Sequence, residues 1–264
     1  MKSDDVFQSM VFAGRPIDNC PVIDAHGHLG NDAALPLYAS SPESVISVMD
    51  RIGIDVVCAS PHLVLSAYAR EGNDICMAAV RKYPARIFGY MTANMRDAGS
   101  VLPELERCLK AGMRAIKIHS KSGPPYSHLN YDVLYRFANA NRLPILAHTE
   151  GKEIDDLESN FAKYPDVNFI LAHAGCLERE KYARVAAEYP NVYLETCVSQ
   201  CFRGLIEYFV KAGLADKILW GTDMTFIAAE HQIGRVIFAD ISEADKMKIL
   251  GQNAQKVLKI HESS

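Results

Sequence analysis

The sequence lacks any run of apolar residues that approaches the ~20 needed to cross a bilayer, so we expect no membrane segment. Its first ten residues contain no apolar stretch typical of a secretory signal, which favours a cytoplasmic location. No CxxC pair occurs among the seven cysteines, and an odd, scattered set argues against a disulfide framework. A basic excess is also missing: 28 lysines and arginines face 32 acidic residues, which argues against binding nucleic acid through its phosphates.

The composition does supply ample material for a folded core. Hydrophobic residues make up 49% of the 264 residues and charged residues 23%, the balance of an ordinary globular protein. A chain of this length can bury most of its apolar surface without disulfides or structural metals. Since no linker or low-complexity segment interrupts it, we expect one domain over residues 1–264. The sequence of residues 1–20 does not indicate their role.

One pattern recurs eight times along the chain. A short apolar or β-branched run is followed by a polar loop and then by a segment of helical period. The runs begin at residues 21, 55, 86, 115, 143, 168, 192 and 217, and each interval suits one βα unit. Eight such units predict an α/β fold of the (β/α)8 TIM-barrel type. An open, doubly wound sheet is the alternative, but no glycine-rich phosphate loop follows the first run.

Ionisable residues stand at the ends of these runs, where the side chains of a barrel converge on one mouth. The first run ends in His26-Gly27-His28. Because residues i and i+2 of a strand share a face, both imidazoles can reach one ion. Four later runs add the candidates Lys117, His148, His173 and Asp223. Imidazoles and carboxylates bind zinc and similar divalent ions, so the pattern predicts a metal site.

The ordered motifs resemble the amidohydrolase superfamily, in particular its amidohydrolase-2 branch of metal-dependent barrel hydrolases. The resemblance covers nearly the whole chain, and its main motifs are IDAHGHLG at 23–30, AGMRAIKIHS at 111–120, LPILAHTEG at 143–151, YPDVNFILAHAGC at 164–176 and ILWGTDMTF at 218–226. Ser120 and Thr222 depart from residues common in the branch. Neither departure removes a candidate ligand.

The resemblance implies a divalent metal, with zinc expected and manganese as the other candidate. The ligands it implies are His26, His28, Lys117, His148, His173 and Asp223. Lys117 is the position that some members carboxylate to bridge two metals. A single-metal site would leave Lys117 to pair with Asp223 or with a substrate carboxylate, and His173 to orient water or substrate. The sequence leaves both arrangements open.

The implied activity is hydrolysis by a metal-activated water, on a lactone, cyclic amide or ester-like bond of a small molecule. Asp223 would accept the proton of that water, and His173 would help to polarise the carbonyl. The alternative is non-oxidative decarboxylation of a small aromatic or unsaturated acid. Lys117 favours hydrolysis, because the decarboxylases resemble single-metal sites. A catalytically silent ligand-binding barrel is a third hypothesis, and it predicts missing ligands, which the sequence does not have.

Several further positions carry weaker expectations. Loops 60–72, 120–130 and 224–234 are expected to form the pocket wall, and a homo-oligomer is left open because no sequence patch marks an interface. Glu195 either orients a histidine ring or pairs with a cation of the barrel wall. Residues expected to be structural or at the surface are Cys197, Cys201, His62, His128, His231 and His261.

Overall fold

Eight parallel strands follow one another around a barrel in chain order. The computed structural model describes residues 5–31, 37, 39–66, 68–198, 200 and 202–260. The strands are β1 (Ile23–Leu29), β2 (Val56–Pro61), β3 (Ile87–Met91), β4 (Ala115–Ile118), β5 (Ile145–His148), β6 (Phe169–Ala172), β7 (Val192–Glu195) and β8 (Ile218–Leu219). Each pairs in parallel with the next. Seven lie within the runs identified in the sequence and β1 extends one residue beyond its run, which confirms the (β/α)8 TIM barrel.

The chain after β8 runs along β1 and brings the two ends of the sheet together. The Ala25 amide donates to the Trp220 carbonyl at 3.1 Å, and the Asp223 amide donates to the His26 carbonyl at 2.7 Å. An isolated parallel bridge joins Gly27 to Met224. This pairing places the polar ends of β1 and β8 side by side.

Helices cover the outside of the sheet. They are α1 (Val6–Phe12), α2 (Pro42–Ile52), α3 (Ala69–Lys82), α4 (Ala98–Lys110), α5 (Leu129–Asn141), α6 (Glu153–Lys163), α7 (Arg179–Glu188), α8 (Leu205–Lys211), α9 (Ala229–Ile237), α10 (Glu243–Met247) and α11 (Asn253–Leu258). Side chains cap two of these helices, since Ser41 accepts from the Ser44 amide and Ser242 from the Asp245 amide. Among the described residues no helix is long and apolar enough to cross a bilayer.

The apolar residues form two separate clusters. The larger cluster includes Val57 and Ile116 of the strands and buried residues of the helices, such as Val45 and Met49 of α2. The smaller one contains strand residues such as Ala115 of β4, together with residues of α11. Lys117 lies two residues after Ala115 and therefore on the same face of β4. The side chain of Lys117 therefore points into the barrel, near the end of β4 where the other polar candidates lie.

Residues ahead of β1 form the helix α1, which the sequence did not predict. Phe7 and Met10 of this helix are buried. Lys246 of α10 is 1% exposed and forms an ion pair with Asp5, the N-cap residue of α1. The lead-in segment is therefore docked on the barrel by both apolar contacts and a largely buried ion pair.

Candidate active site

His26 and His28 lie on β1 and form one group with Asp223. One ligand atom from each of the three residues lies within 4.8 Å of the others. His28 Nε2 is 2.9 Å from Asp223 Oδ1, and His26 Nε2 is 3.7 Å from the same oxygen. Two imidazole nitrogens and a carboxylate oxygen are the donor types that zinc and manganese accept. These three residues therefore fit a divalent ion.

Glycines allow the two histidines to sit close to their neighbours. A Cβ on Gly27 would lie 2.5 Å from the Val57 side chain, so only glycine fits between the two imidazole-bearing positions. A Cβ on Gly221 would lie 2.7 Å from Cβ of His26 and 2.8 Å from the Glu195 carboxylate. Both glycines thus serve the close packing around His26.

His173 and Asp223 share an uncommon backbone conformation. His173 directly follows β6 and has a φ of 59°, and Asp223 lies four residues after β8 and has a φ of 56°. A non-glycine residue rarely adopts a positive φ, and such strained positions cluster at functional sites. In both cases the strained turn follows a strand at the mouth of the barrel. The backbone of both residues therefore leaves the extended conformation at the mouth, where catalysis is expected.

Glu195 lies directly behind His26. Its Oε2 is 2.8 Å from His26 Nδ1, and its carboxylate also accepts from the Cys197 amide and, at 3.1 Å, from the Cys197 thiol. Because a carboxylate accepts the Nδ1 proton, the lone pair of neutral His26 is on Nε2, which faces Asp223. Burial raises the pKa of the Glu195 carboxyl, whereas the hydrogen bonds from Cys197 and the charge of Lys117 stabilise its ionised form. Of the two alternatives left by the sequence, the structure supports the one in which Glu195 orients a histidine ring.

Lys117 is fully buried and contacts the same histidine from the other side. Its Nζ lies 2.7 Å from His26 Nε2, and burial lowers the pKa of the lysine. Nζ therefore donates to the nitrogen lone pair that Glu195 leaves on the ring. The lysine predicted to bridge metals is inside the site, and its hydrogen bond goes to His26.

His148 and His173 form a hydrogen-bonded pair beside this group. The distance between His173 Nε2 and His148 Nδ1 is 3.1 Å, and His173 Nδ1 donates to the Cys197 carbonyl at 2.8 Å. His173 therefore presents a lone pair at Nε2, to which His148 Nδ1 donates. Burial lowers the pKa of both imidazoles. The ring centroid of His173 is 5.0 Å from that of His26, so the pair adjoins the three-residue group.

Two further histidines belong to the site. His62 was expected at the surface, and that expectation is wrong: it follows β2, is 2% exposed and stacks on His28 with ring centroids 4.6 Å apart. His119 is buried two residues after Lys117 and stacks on His148 at 3.8 Å. Both follow the end of a strand, which is the signal that could have identified them. His128 and His231 are exposed as expected, and His261 lies outside the described residues.

These side chains surround one cavity of about 430 Å³. Its polar lining consists of six histidines and four charged residues, with Gln200 in addition: His26, His28, His62, His119, His148, His173, Lys117, Lys121, Glu150 and Asp223. Apolar side chains complete the wall: Leu65, Leu177, Val198 and Phe226, with the Cys176 thiol. The three predicted loops each contribute, through Leu65, Lys121 and Phe226. The loops after β6 and β7 also contribute, which the sequence analysis did not predict.

The Cys197 thiol contacts two residues of the site, His26 and Glu195. The six described cysteines are free. Cys197 is buried, and desolvation raises the pKa of its thiol well above the usual value, which makes it a poor nucleophile. This agrees with the expectation for Cys197. The same expectation for Cys201 concerns a residue outside the described part.

A family model for amidohydrolases, of the amidohydrolase-2 branch, matches residues 23–260. The chain belongs to the amidohydrolase family. The match extends from the first residue of β1 to beyond the end of α11. It establishes a metal-dependent enzyme of the amidohydrolase superfamily, as the resemblance implied.

Individual relatives of this amidohydrolase differ in their reactions. The gamma-resorcylate decarboxylase of Polaromonas sp. strain JS666 is 25% identical to this chain, and the match covers 73% of this chain and 76% of the relative. A dihydroxybenzoic acid decarboxylase structure from Polaromonas sp. JS666, with manganese and 2-nitroresorcinol bound, has a TM-score of 0.72 at 21% identity, covering 92% and 98%. A probable 2-pyrone-4,6-dicarboxylic acid hydrolase from Acinetobacter baumannii has a TM-score of 0.73 at 16% identity, covering 92% and 100%.

Proposed function

We propose that this amidohydrolase is a metal-dependent, non-oxidative decarboxylase of a small aromatic carboxylic acid. The observation that carries the proposal is the cavity lining, which combines six imidazoles and Asp223 with the apolar side chains of Leu65, Leu177, Val198 and Phe226. A planar ring suits the apolar side chains, while a carboxylate suits the polar groups. The curated relative from Polaromonas, a gamma-resorcylate decarboxylase, supports the same reaction class. This was the alternative in the sequence analysis, and it now takes precedence over hydrolysis.

The proposed ion site consists of His26, His28 and Asp223, with His148 and His173 beside it. Three protein ligands are typical of catalytic sites that keep a position open for substrate. When bound, a divalent cation would act as a Lewis acid toward the oxygens of the substrate. We propose manganese or zinc. Manganese is favoured by the ion in the Polaromonas decarboxylase structure.

Asp223 is the proposed proton carrier of this reaction. Burial alone would raise the pKa of its carboxyl, but the His28 hydrogen bond and the surrounding imidazoles hold the pKa well below its usual range. Its side chain is 15% exposed, compared with 1% for His26, so it has access to the cavity. Decarboxylation needs one proton at the ring carbon while the C–C bond breaks and CO2 leaves. Asp223 would take that proton from solvent water and deliver it to the ring carbon, whose bond to the carboxylate then breaks and leaves its electron pair with the ring as CO2 departs.

Lactone or ester hydrolysis is retained as a second candidate because of Lys117. Its amine is fully buried and adjoins His26. Burial lowers the pKa of Lys117 and so favours the neutral amine, which is the form that can be carboxylated. A carboxylated Lys117 would support two metals and a metal-activated water. The two candidates therefore differ in metal stoichiometry as well as in product.

The test is an assay of the purified enzyme, loaded with Mn²⁺ or Zn²⁺, against 2,6-dihydroxybenzoate and against a simple lactone. We expect release of CO2 and resorcinol, about one bound ion per chain, and at least a hundredfold loss of kcat in Asp223→Asn. The control Asp166→Asn, at an exposed position, should retain full activity. Lactone opening without CO2 release, combined with about two ions per chain, would instead support hydrolysis.

A further inference from the structure

A second group of potential metal ligands lies behind the proposed ion site. Its four members, which we call the rear site, are all buried, and their ligand atoms lie within 4.8 Å of one another: His26, His173, Glu195 and Cys197. His26 and His173 line the cavity, whereas Glu195 and Cys197 are not among the described residues that line it. The two imidazole rings therefore lie between the rear site and the cavity that contains the proposed ion site.

The sulfur of Cys197 contacts each of the other three members of the rear site. Sγ lies 3.2 Å from His26 Nδ1, 3.6 Å from His173 Nδ1 and 3.1 Å from Glu195 Oε2. In a tetrahedral zinc site, metal–ligand distances of about 2.0–2.3 Å separate neighbouring ligand atoms by roughly 3.3–3.6 Å. The sulfur distances differ from this separation by a few tenths of an ångström, so small side-chain shifts would make room for one ion.

The rear site and the proposed ion site contact opposite edges of the His26 ring. Nε2 of His26 lies 3.7 Å from the carboxylate of Asp223, a member of the proposed ion site. Nδ1 of the same ring lies 2.8 Å from Glu195 Oε2 and 3.2 Å from Cys197 Sγ. His26 therefore belongs to both sites, through a different nitrogen in each.

A neutral imidazole cannot bind an ion at both of these sites, because it has one proton and offers one lone pair. While Nδ1 of His26 donates to Glu195, the lone pair is on Nε2 and is available to the proposed ion site. An ion at Nδ1 moves the ring proton to Nε2, where Asp223 can accept it, and Lys117 loses the acceptor of its hydrogen bond. Occupation of the rear site therefore removes His26 from the ligands of the proposed ion site.

We propose that the rear site binds a thiophilic divalent ion such as zinc and thereby releases the ion of the proposed active site, which inhibits the enzyme. Thiolates favour zinc, whereas manganese prefers oxygen ligands, so the two sites differ in the ion that they select. On binding, the Cys197 S–H bond breaks and its proton passes to the buffer, a metal–sulfur bond forms, and the protons of both rings move to Nε2. The rear site stands on its own four residues, but the inhibition rests on the proposed function.

Co²⁺ is the probe, because it replaces zinc in tetrahedral sites and shows a near-ultraviolet charge-transfer band when a thiolate binds it. Cys197→Ser removes the sulfur but keeps a hydroxyl that can donate to Glu195. Cys58→Ser is the matched control, since Cys58 of β2 is also fully buried but is not part of the rear site. His28→Ala removes a member of the proposed ion site and none of the rear site.

Co²⁺ is added under nitrogen to the Mn²⁺-loaded protein, while absorption reports the thiolate band and electron paramagnetic resonance reports free Mn²⁺. In the wild type and in Cys58→Ser we expect the band to appear and about one Mn²⁺ to be released for each Co²⁺ bound, because the sites share one imidazole. Cys197→Ser should lose the band. His28→Ala, titrated without Mn²⁺, should keep it.

The possible failures have different meanings. Absence of the band in the wild type, or its persistence in Cys197→Ser, would overturn the rear site. A band that grows without release of Mn²⁺ would overturn the exclusion between the two sites. A wild type that binds no Mn²⁺ before Co²⁺ is added would overturn the proposed ion site and the inhibition with it, whereas the Co²⁺ band would still decide the rear site.

Inhibition is measured as CO2 release from 2,6-dihydroxybenzoate by the Mn²⁺-loaded enzyme in the presence of added Zn²⁺. Half-inhibition of Cys197→Ser should need at least tenfold more Zn²⁺ than that of the wild type, since even loss of an outer partner costs roughly 10- to 100-fold in metal affinity. Cys58→Ser should need the same Zn²⁺ concentration as the wild type. Equal requirements in Cys197→Ser and the wild type would overturn inhibition through the rear site.

Discussion

At the scale of single residues, hydrogen-bond partners determine which ring nitrogen of a site histidine carries the proton. Glu195 accepts from His26 Nδ1 and thereby leaves the lone pair of His26 on Nε2. The Cys197 carbonyl accepts from His173 Nδ1 and sets the tautomer of that ring in the same way. Such outer partners raise the basicity of a ligating imidazole and fix its orientation. The orientation of the site histidines therefore depends on Glu195 and the Cys197 carbonyl, which lie behind the rings, as well as on the side chains that face the cavity.

Glu195→Gln should weaken metal binding by roughly 10- to 100-fold, the usual effect of losing a partner behind a ligating histidine. Glutamine has nearly the same volume, but its amide can present a donor to His26 Nδ1 and so allow the other tautomer. The affinity is measured by titrating the metal-free protein with Mn²⁺ or Zn²⁺. Glu104→Gln serves as control, because Glu104 is also buried but contacts Asn73 and Arg107 instead. Unchanged affinity in Glu195→Gln would contradict the orienting role.

The sequence could predict the residues that project from strand ends but not those that support them. His26, His28, His148 and Asp223 follow from counting strands, because the end of each strand is at the mouth. Glu195 could not be assigned, since its partner is 169 residues away in the chain. The prediction for His62 is wrong because a residue that directly follows a strand also reaches the mouth of the barrel, even where it belongs to a loop.

At the scale of elements, the periodic spacing predicted every strand because each βα unit is a local pattern. α1 could not be predicted in this way, as its burial depends on contacts with the distant α10. Lys246 holds Asp5 and also donates to the Ile237 carbonyl at 2.7 Å. These contacts exist only in the folded barrel, so no local pattern in the sequence of residues 5–12 indicates them.

Lys246→Met should therefore destabilise the protein by about 2 kcal/mol, since removal of one partner leaves the other in a partly desolvated place. The comparison is Arg51→Gln, which breaks the exposed ion pair with Glu230 and should cost at most ~1 kcal/mol. Urea unfolding of both variants measures the difference. Equal losses would show that the Asp5–Lys246 pair is no more important than a surface pair.

A second cross-link between elements should respond to acid. Asp132 of α5 binds Lys163 and Tyr164 at the end of α6, and these hydrogen bonds lower the pKa of Asp132 to about 2. The folded-state pKa lies below the value of ~3.9 for an unfolded aspartate, so the stabilisation is complete above pH ~4 and is lost as pH falls toward 2. The difference in unfolding free energy between wild type and Asp132→Asn should shrink over that interval. A difference that stays constant from pH 7 to pH 3 would refute this role.

At the scale of the whole molecule, the barrel separates the residues that fold it from those that act. The apolar clusters on both faces of the sheet are independent of the polar residues at the mouth. A chain of this size buries enough apolar surface to fold without a metal. The polar mouth instead brings together buried groups, such as Lys117 and Glu195, whose charged forms are costly to bury. Stability and function thus depend on different residues of the same strands.

Removal of the metal should consequently lower stability without unfolding the protein. An ion that binds only the folded state adds about 2.7 kcal/mol at a hundredfold excess over its Kd, which corresponds to roughly 5–10 °C in Tm for a protein of this size. The chelated protein should keep its far-UV circular dichroism and unfold at the lower temperature. The double variant His26→Ala/His28→Ala should unfold at a temperature that added Mn²⁺ or Zn²⁺ does not change. Loss of secondary structure on chelation would contradict the separation between the residues that fold the barrel and those that bind the ion. A metal-dependent rise of Tm in the double variant would show that His26 and His28 do not bind the ion.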